Sequence, residues 1–318
     1  MKIQYKFNLF RLIALLLAAL VLAGCAPKPD LSPEALSRET VGFLLKTDPS
    51  AGSDWSAFAL ARWKIEASQD WFDSYYAAVE ARVSGCGGVL HERKYTEYSR
   101  LVLALTALGK DPANVMGYNL LVPLADFDAT VFQGVNGAVT ALLALDSGSY
   151  EIPKNTAGTT QATRELYLEY ILSAQLPGGG WALSGEEAEI DLTAMALQAL
   201  ANYRDREDVS QAIEKALVIL SQRQNSRGGY TAYSADSSEA VSQTIIALAT
   251  LGIPLDDSRF VKDNHTLLDA LLAFRQEDGG FAHLLDGKTD RLATEQALLA
   301  LVSLVRSEQG STPLYKIR

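Results

Sequence analysis

The sequence predicts an all-α protein of six helical hairpins closed into a ring, an (α/α)6 toroid, and three observations predict it. Three segments repeat at a spacing of 49–52 residues: Gln175 leads through glycines to Trp181, Gln224 to Tyr230, and Gln276 to Phe281. Self-similarity at that period marks stacked supersecondary units, each too small to bury its own apolar face. The segments after them carry an Ala-Leu-x-Ala-Leu theme at 196–200 and 297–301, varied at 247–251; it also occurs upstream at 104–108 and 141–145, with a fainter copy over 55–62. Finally, neither terminal unit reads as the polar cap that an open stack requires. The row of hairpins is therefore expected to close on itself.

Along the chain, residues 1–24 do not belong to the fold. Lys2, Lys6 and Arg11 precede an unbroken apolar run at 12–23, the pattern of an export signal, and the run is too short to span a bilayer. It ends in Leu22-Ala23-Gly24-Cys25, which resembles the lipobox of bacterial lipoproteins. That resemblance implies cleavage before Cys25 and lipidation of its thiol. Residues 25–34, with Pro27, Pro29 and Pro33, read as a short stiff tether. The toroid is expected over 35–306, with a C-terminal tail at 307–318. First, outer helices are expected near 35–46, 71–83, 113–124, 162–175, 209–224 and 264–276. The segment 211–223 has one polar stripe and should face solvent on one side, whereas 240–251 is apolar nearly all round, as an inner helix packed on both sides should be.

Charge narrows the partners. Twenty-eight basic against thirty-eight acidic residues give −10, and removing 1–24 deepens this to −13 because three basic residues go with it. Such a balance opposes attraction to nucleic-acid phosphates. The expected partners are a membrane, through the lipid on Cys25, and a small-molecule or protein ligand on the extracytoplasmic side. Two cysteines are too few for a disulfide framework.

The Gln-to-Trp181 unit and its two partners resemble the QW motifs of squalene and other triterpene cyclases. The six-hairpin layout over about 35–306 resembles the wider α/α-toroid superfamily, which also includes prenyltransferase β subunits, thioester domains and cobalamin carriers. Its members share packing rather than chemistry. The resemblance implies that Gln175, Trp181, Gln224, Tyr230, Gln276 and Phe281 are structural, tying neighbouring hairpins together.

Each family's chemistry can be read against the residues. Protonating cyclases use an Asp-x-Asp-Asp-Thr-Ala segment, and the chain has Glu189-Ile190-Asp191-Leu192-Thr193-Ala194, keeping the central acid and losing the last. Asp191 can thus be an N-cap of the following helix or, with Glu189, a weak catalytic candidate. The zinc ligands of prenyltransferases have no counterpart at 238–240 or 292–294, and His91, His265 and His283, the only histidines, form no ligand pair at helical spacing. No metal and no cofactor are expected. A thioester needs a glutamine three residues after its cysteine, where Cys86 is followed by Val89, so Cys86 reads as a buried or incidental thiol. The stretch from Asp191 to Ala196 also resembles the Asp-Thr-Ala-Ala-Met-Ala of cobalamin carriers, which implies a corrinoid as one ligand, although the β-rich second domain of those carriers has no counterpart before Arg318.

Independently of any family, a closed helical ring places function at the mouth where inner helices begin. The candidates there are Trp55, Glu97, Tyr98, Arg100, Asp126, Asp128, Glu189, Asp191, Glu239 and Glu295. An acidic, aromatic-edged mouth suits a cationic or sugar-like ligand. The expected function is therefore a lipid-anchored, non-catalytic binding module. The alternative is an enzyme, either a divergent terpene cyclase or a glycan-acting hydrolase using acidic residues at the mouth.

Overall fold

The computed structural model describes residues 30–51, 53–63, 69–157, 159–232 and 235–318. The segment expected as an export signal and Cys25 lie outside the described residues. Six inner helices form a ring: α2 (Asp54–Trp63), α4 (Thr96–Ala107), α6 (Val135–Ser147), α8 (Ile190–Leu200), α10 (Ser238–Leu251) and α12 (Arg291–Glu308). Each packs on the next, and α12 packs back on α2. The ring is closed, as the missing end caps predicted. Outside it run α1 (Pro33–Leu44), α3 (Gln69–Gly85), α7 (Arg164–Ser173), α9 (Glu207–Arg223) and the short α11 (Leu267–Leu272).

Local sequence explains the helix starts. Ser32, Thr163, Ser237, Thr266 and Asp290 each accept a first-turn amide, capping α1, α7, α10, α11 and α12. Gly252, at φ 74°, ends α10 in the left-handed conformation. The inner helices bury almost their whole circumference, whereas α9 buries the single face formed by Val209, Ala212, Ile213, Ala216, Leu217 and Leu220.

The repeat segments are the mortar of the ring. In each, one glycine with positive φ presses on the backbone of the next outer helix or its cap. A Cβ would lie 2.8 Å from the Lys215 carbonyl oxygen at Gly179, 2.4 Å from that of Thr266 at Gly228, and 3.1 Å from that of Glu39 at Gly279. The last contact reaches α1 and so belongs to the closing seam. There Arg275 pairs with Glu39, and Ser56 of α2 donates to Glu295 of α12 at 2.6 Å. Trp181, Tyr230 and Phe281 are buried. The Trp181 and Phe281 amides donate to Thr193 and Thr294 hydroxyls at 2.9 Å, and the Trp181 indole donates to the Ile171 carbonyl at 2.7 Å. Gln175 donates to the Ala212 carbonyl and Gln224 to that of Phe260, both at 2.8 Å and both across to the next hairpin. Gln276 instead bonds its own chain at Phe274. Two-residue ribbons, β1 (Thr231–Ala232) with β2 (Ala235–Asp236) and β3 (Phe281–Ala282) with β4 (Thr289–Asp290), stiffen the last two loops.

Two expectations change. The outer helix expected at 113–124 does not form; the segment is irregular, with a 3-10 turn at Pro123–Ala125 and only a one-turn α5 (Phe127–Thr130). Pro112 and Pro123 interrupt it, and Met116 and Gly117 adopt positive φ of 52° and 86°. The C-terminal residues expected as a tail instead tuck under the ring: Leu314 and Tyr315 are buried, and Tyr315 stacks on Phe58 with ring centroids 5.3 Å apart. Arg62 donates to the carbonyls of Pro313 (3.1 Å) and Lys316 (3.3 Å), and Arg306 to Thr312 through its carbonyl and hydroxyl, both at 2.9 Å. Burial, with the neighbouring Arg306 charge, lowers Arg62 to about 10.

Candidate functional site

All six inner helices line one cavity of about 280 Å³ on the ring axis. The lining follows helical spacing, because residues four and then three further on share one face. The outermost layer comprises Thr96, Asn136, Asp191, Glu239 and Leu292, with Trp55 from α2. One turn deeper lie Arg100, Thr140, Met195, Gln243 and Gln296; deeper still are Leu103 and Leu143, and Tyr315 of the C-terminal segment completes the lining.

Arg100 at the mouth is paired, whereas Asp191 and Glu189 form no ion pair among the described residues. Asp54, buried behind the wall, accepts from the Tyr75 hydroxyl (2.6 Å), Arg82 (2.9 Å) and Arg100 Nε (3.3 Å). Burial and then the Asp54 charge push the Tyr75 hydroxyl well up, so it stays a donor. Arg100 also pairs with Glu97. Glu239 meets the His283 ring at 2.8 Å. Asp191 forms no ion pair with Lys, Arg or His among the described residues; its carboxylate accepts only the adjacent Leu192 amide at 2.9 Å. One turn below the mouth, Gln243 accepts at Oε1 from Gln198, which lies behind the wall, at 2.8 Å, and donates in turn to Gln296.

Of the residues expected at the mouth, Trp55, Arg100, Asp191 and Glu239 line the cavity and the others do not. Glu97 sits one position off the lining face and serves Arg100. Tyr98 is buried and its oxygen accepts the Leu90 amide at 3.0 Å. Asp126 caps α5 through the Ala129 amide at 3.0 Å, and Asp128 accepts the Thr160 amide at 3.0 Å, so both organise the irregular third hairpin instead. Glu295 is turned into the seam, where burial raises its carboxyl against the opposing Ser56 hydrogen bond. Asp191 is not the N-cap: Glu189 occupies that position without a side-chain bond, and Asp191 lies in the first turn on the cavity wall. Burial, and then the Asp191 charge, raise the Glu189 carboxyl. Cys86, expected as a buried or incidental thiol, is exposed.

Asn136, Thr140, Met195, Gln243, Gln296 and Tyr315 escaped the sequence reading. The signal for Thr140, Met195, Gln243 and Gln296 was a polar or bulky residue at the same register of its inner helix, one turn after the start; Asn136 and Tyr315 lie outside that register. Among the described residues no three His, Cys, Asp or Glu side chains gather as a metal site, and no helix is long and apolar enough to cross a membrane.

The family described as prenyltransferase alpha-alpha toroid domain matches residues 138–232 and 207–310, together more than half of the chain. The chain belongs to that family. As a toroid domain it is 30% identical over 146 residues to drimenyl diphosphate synthase of Streptomyces showdoensis, a match that covers 44% of this chain and 27% of that enzyme. It thus spans about a quarter of the length of that curated relative. The fold also resembles the crystal structure of a protein from Actinoplanes, with a TM-score of 0.55 at 15% identity, covering 87% of this chain and 100% of that one.

Proposed function

We propose that this toroid domain binds a small molecule in its axial cavity without transforming it, as a lipoprotein anchored through Cys25 and facing outward. The observation that carries the reading is the state of the cavity's charges. Arg100 is the one cation on the described wall, and Asp54 and Glu97 already hold it, which leaves no free basic side chain for a diphosphate. A protonating acid must also be kept neutral in an apolar, water-excluded site, whereas Asp191 is exposed at the mouth. A cavity of about 280 Å³ sits at the small end of ligand pockets, roughly 300–1,000 Å³. A corrinoid would therefore have to rest on the mouth loops.

Thermal-shift measurements on the full-length chain, with sugars, amines, isoprenoids and corrinoids, test this, since a bound ligand raises apparent stability. At least one class should shift the transition, and Met195→Trp, which fills the cavity, should abolish the shift; Thr140→Met serves where the first variant lowers stability itself. A shift that survives both fillings, or no shift with any class, overturns the reading. Incorporation of labelled palmitate, lost in Cys25→Ser, tests the anchor.

A second reading is favoured by the position of Asp191 on the cavity wall and by the similarity to drimenyl diphosphate synthase. In it, Asp191 is the acid of a divergent terpene cyclase. Product formation from farnesyl diphosphate that disappears in Asp191→Asn establishes this reading in place of the first.

A further inference from the structure

The axial cavity has a chemical direction. One turn below its mouth the amides of Gln198, Gln243 and Gln296 pass hydrogen bonds from α8 to α10 to α12, and the series ends on Gln296 Nε2. Gln296 lines the cavity and is only 7% exposed, yet this N–H₂ group has no acceptor among the described residues. That donor opens into the cavity, where it is left to water or to a ligand oxygen. That layer of the site therefore offers a hydrogen bond to an oxygen acceptor.

At the mouth the need is the opposite. Arg100 is held by two carboxylates, whereas Asp191 forms no ion pair and Glu239 meets only a histidine ring, so the surplus charge at the mouth is negative. The Trp55 indole lies in the same layer, and an aromatic face attracts a cation. Around and below these groups, Leu103, Leu143, Met195 and Leu292 supply apolar wall for a carbon skeleton.

We propose that the ligand is a small organic ammonium compound carrying hydroxyl or carbonyl oxygens at its other end, of the amino alcohol or amino sugar class. Its cation sits at Asp191 and its oxygen accepts from Gln296. This rests on the ligand-binding reading of the cavity and adds to it a charge and an orientation. Anions are rejected at the mouth.

Calorimetric titration of the full-length chain at low salt with glucosamine, glucose and glucose 6-phosphate tests the charge directly. Glucosamine should bind roughly tenfold more tightly than glucose, the scale of one charge-assisted contact, and glucose 6-phosphate should not bind. Raising the salt should narrow the glucosamine margin. Asp191→Asn, which keeps an oxygen for the Leu192 amide, should erase the margin and leave glucose binding unchanged. Gln296→Met should weaken both sugars by roughly tenfold. Glucose or glucose 6-phosphate binding as well as glucosamine, an unchanged margin in Asp191→Asn, or no binding by any of the three overturns the proposal. In the last case the broader cavity reading stands or falls separately, on the ligand panel and the Met195→Trp variant.

Discussion

At the mouth of the ring the inner helices begin with exposed or half-buried side chains such as Asp191 and Glu239, whereas the other end is locked by the chain's own last residues. There Tyr315 stacks on Phe58, and two buried arginines, Arg62 and Arg306, grip main-chain carbonyls of 312–316. Neither arginine meets a carboxylate among the described residues, so each bonds only neutral oxygens, and Arg62 keeps an unpartnered Nε; burial, with the Arg306 charge, lowers Arg62 to about 10. The contrast teaches that the two ends answer to different demands. The sealed end is built for stability, and the open end tolerates unpaired charge because it is wet.

Substitutions at the two ends should separate accordingly. The largest effect belongs to Tyr315→Ala, which removes a buried ring from the sealed end and should cost about 3–5 kcal/mol in denaturant unfolding. A loss below about 1 kcal/mol would mean that the C-terminal segment is merely laid against the ring. Arg306→Ala should follow at about 2 kcal/mol, since its charged hydrogen bonds to Thr312 are lost. Glu295→Gln probes the seam behind the mouth. Because burial raises this carboxyl in the folded state, the stability that Glu295 contributes should be fully present below the ordinary glutamate value and be lost as pH rises through the folded value. The variant keeps the Ser56 bond and should flatten that slope, which unfolding midpoints between pH 4 and 8 would show. Smallest is Asp191→Asn, expected within about 0.5 kcal/mol of wild type. A large loss there would erase the distinction between the ends.

The ring was legible in the sequence because its signals are local. Gln175, Trp181 and their counterparts repeat with glycines whose positive φ is a property of three or four residues. The third hairpin was misread although the breakers Pro112, Asn114, Gly117 and Pro123 stood in plain view, because five regular hairpins argued for a sixth. The cavity was half legible. Charged residues at helix starts pointed to Asp191 and Glu239, but the same rule also picked Asp126 and Asp128, whose carboxylates serve the backbone of their own hairpin. Gln243 and Gln296 were hidden inside apolar helices, where only the common register around the axis marks them. Tyr315 was not legible, since a closure by residues distant in sequence leaves no periodic trace.

The seam between α2 and α12 sets the order in which the molecule comes together. Ser56 meets Glu295 across 239 residues, Arg306 meets the Arg62 carbonyl across 244, and Arg62 reaches Pro313 across 251. Contacts of such separation carry the largest loop-closure entropy and reward the chain only after everything between them is in place. Neighbouring hairpins pair early, and the first and last hairpins meet late. Until they do, there is a row of helices and no axis, so the cavity itself is the final product of folding and the first thing lost when the seam parts.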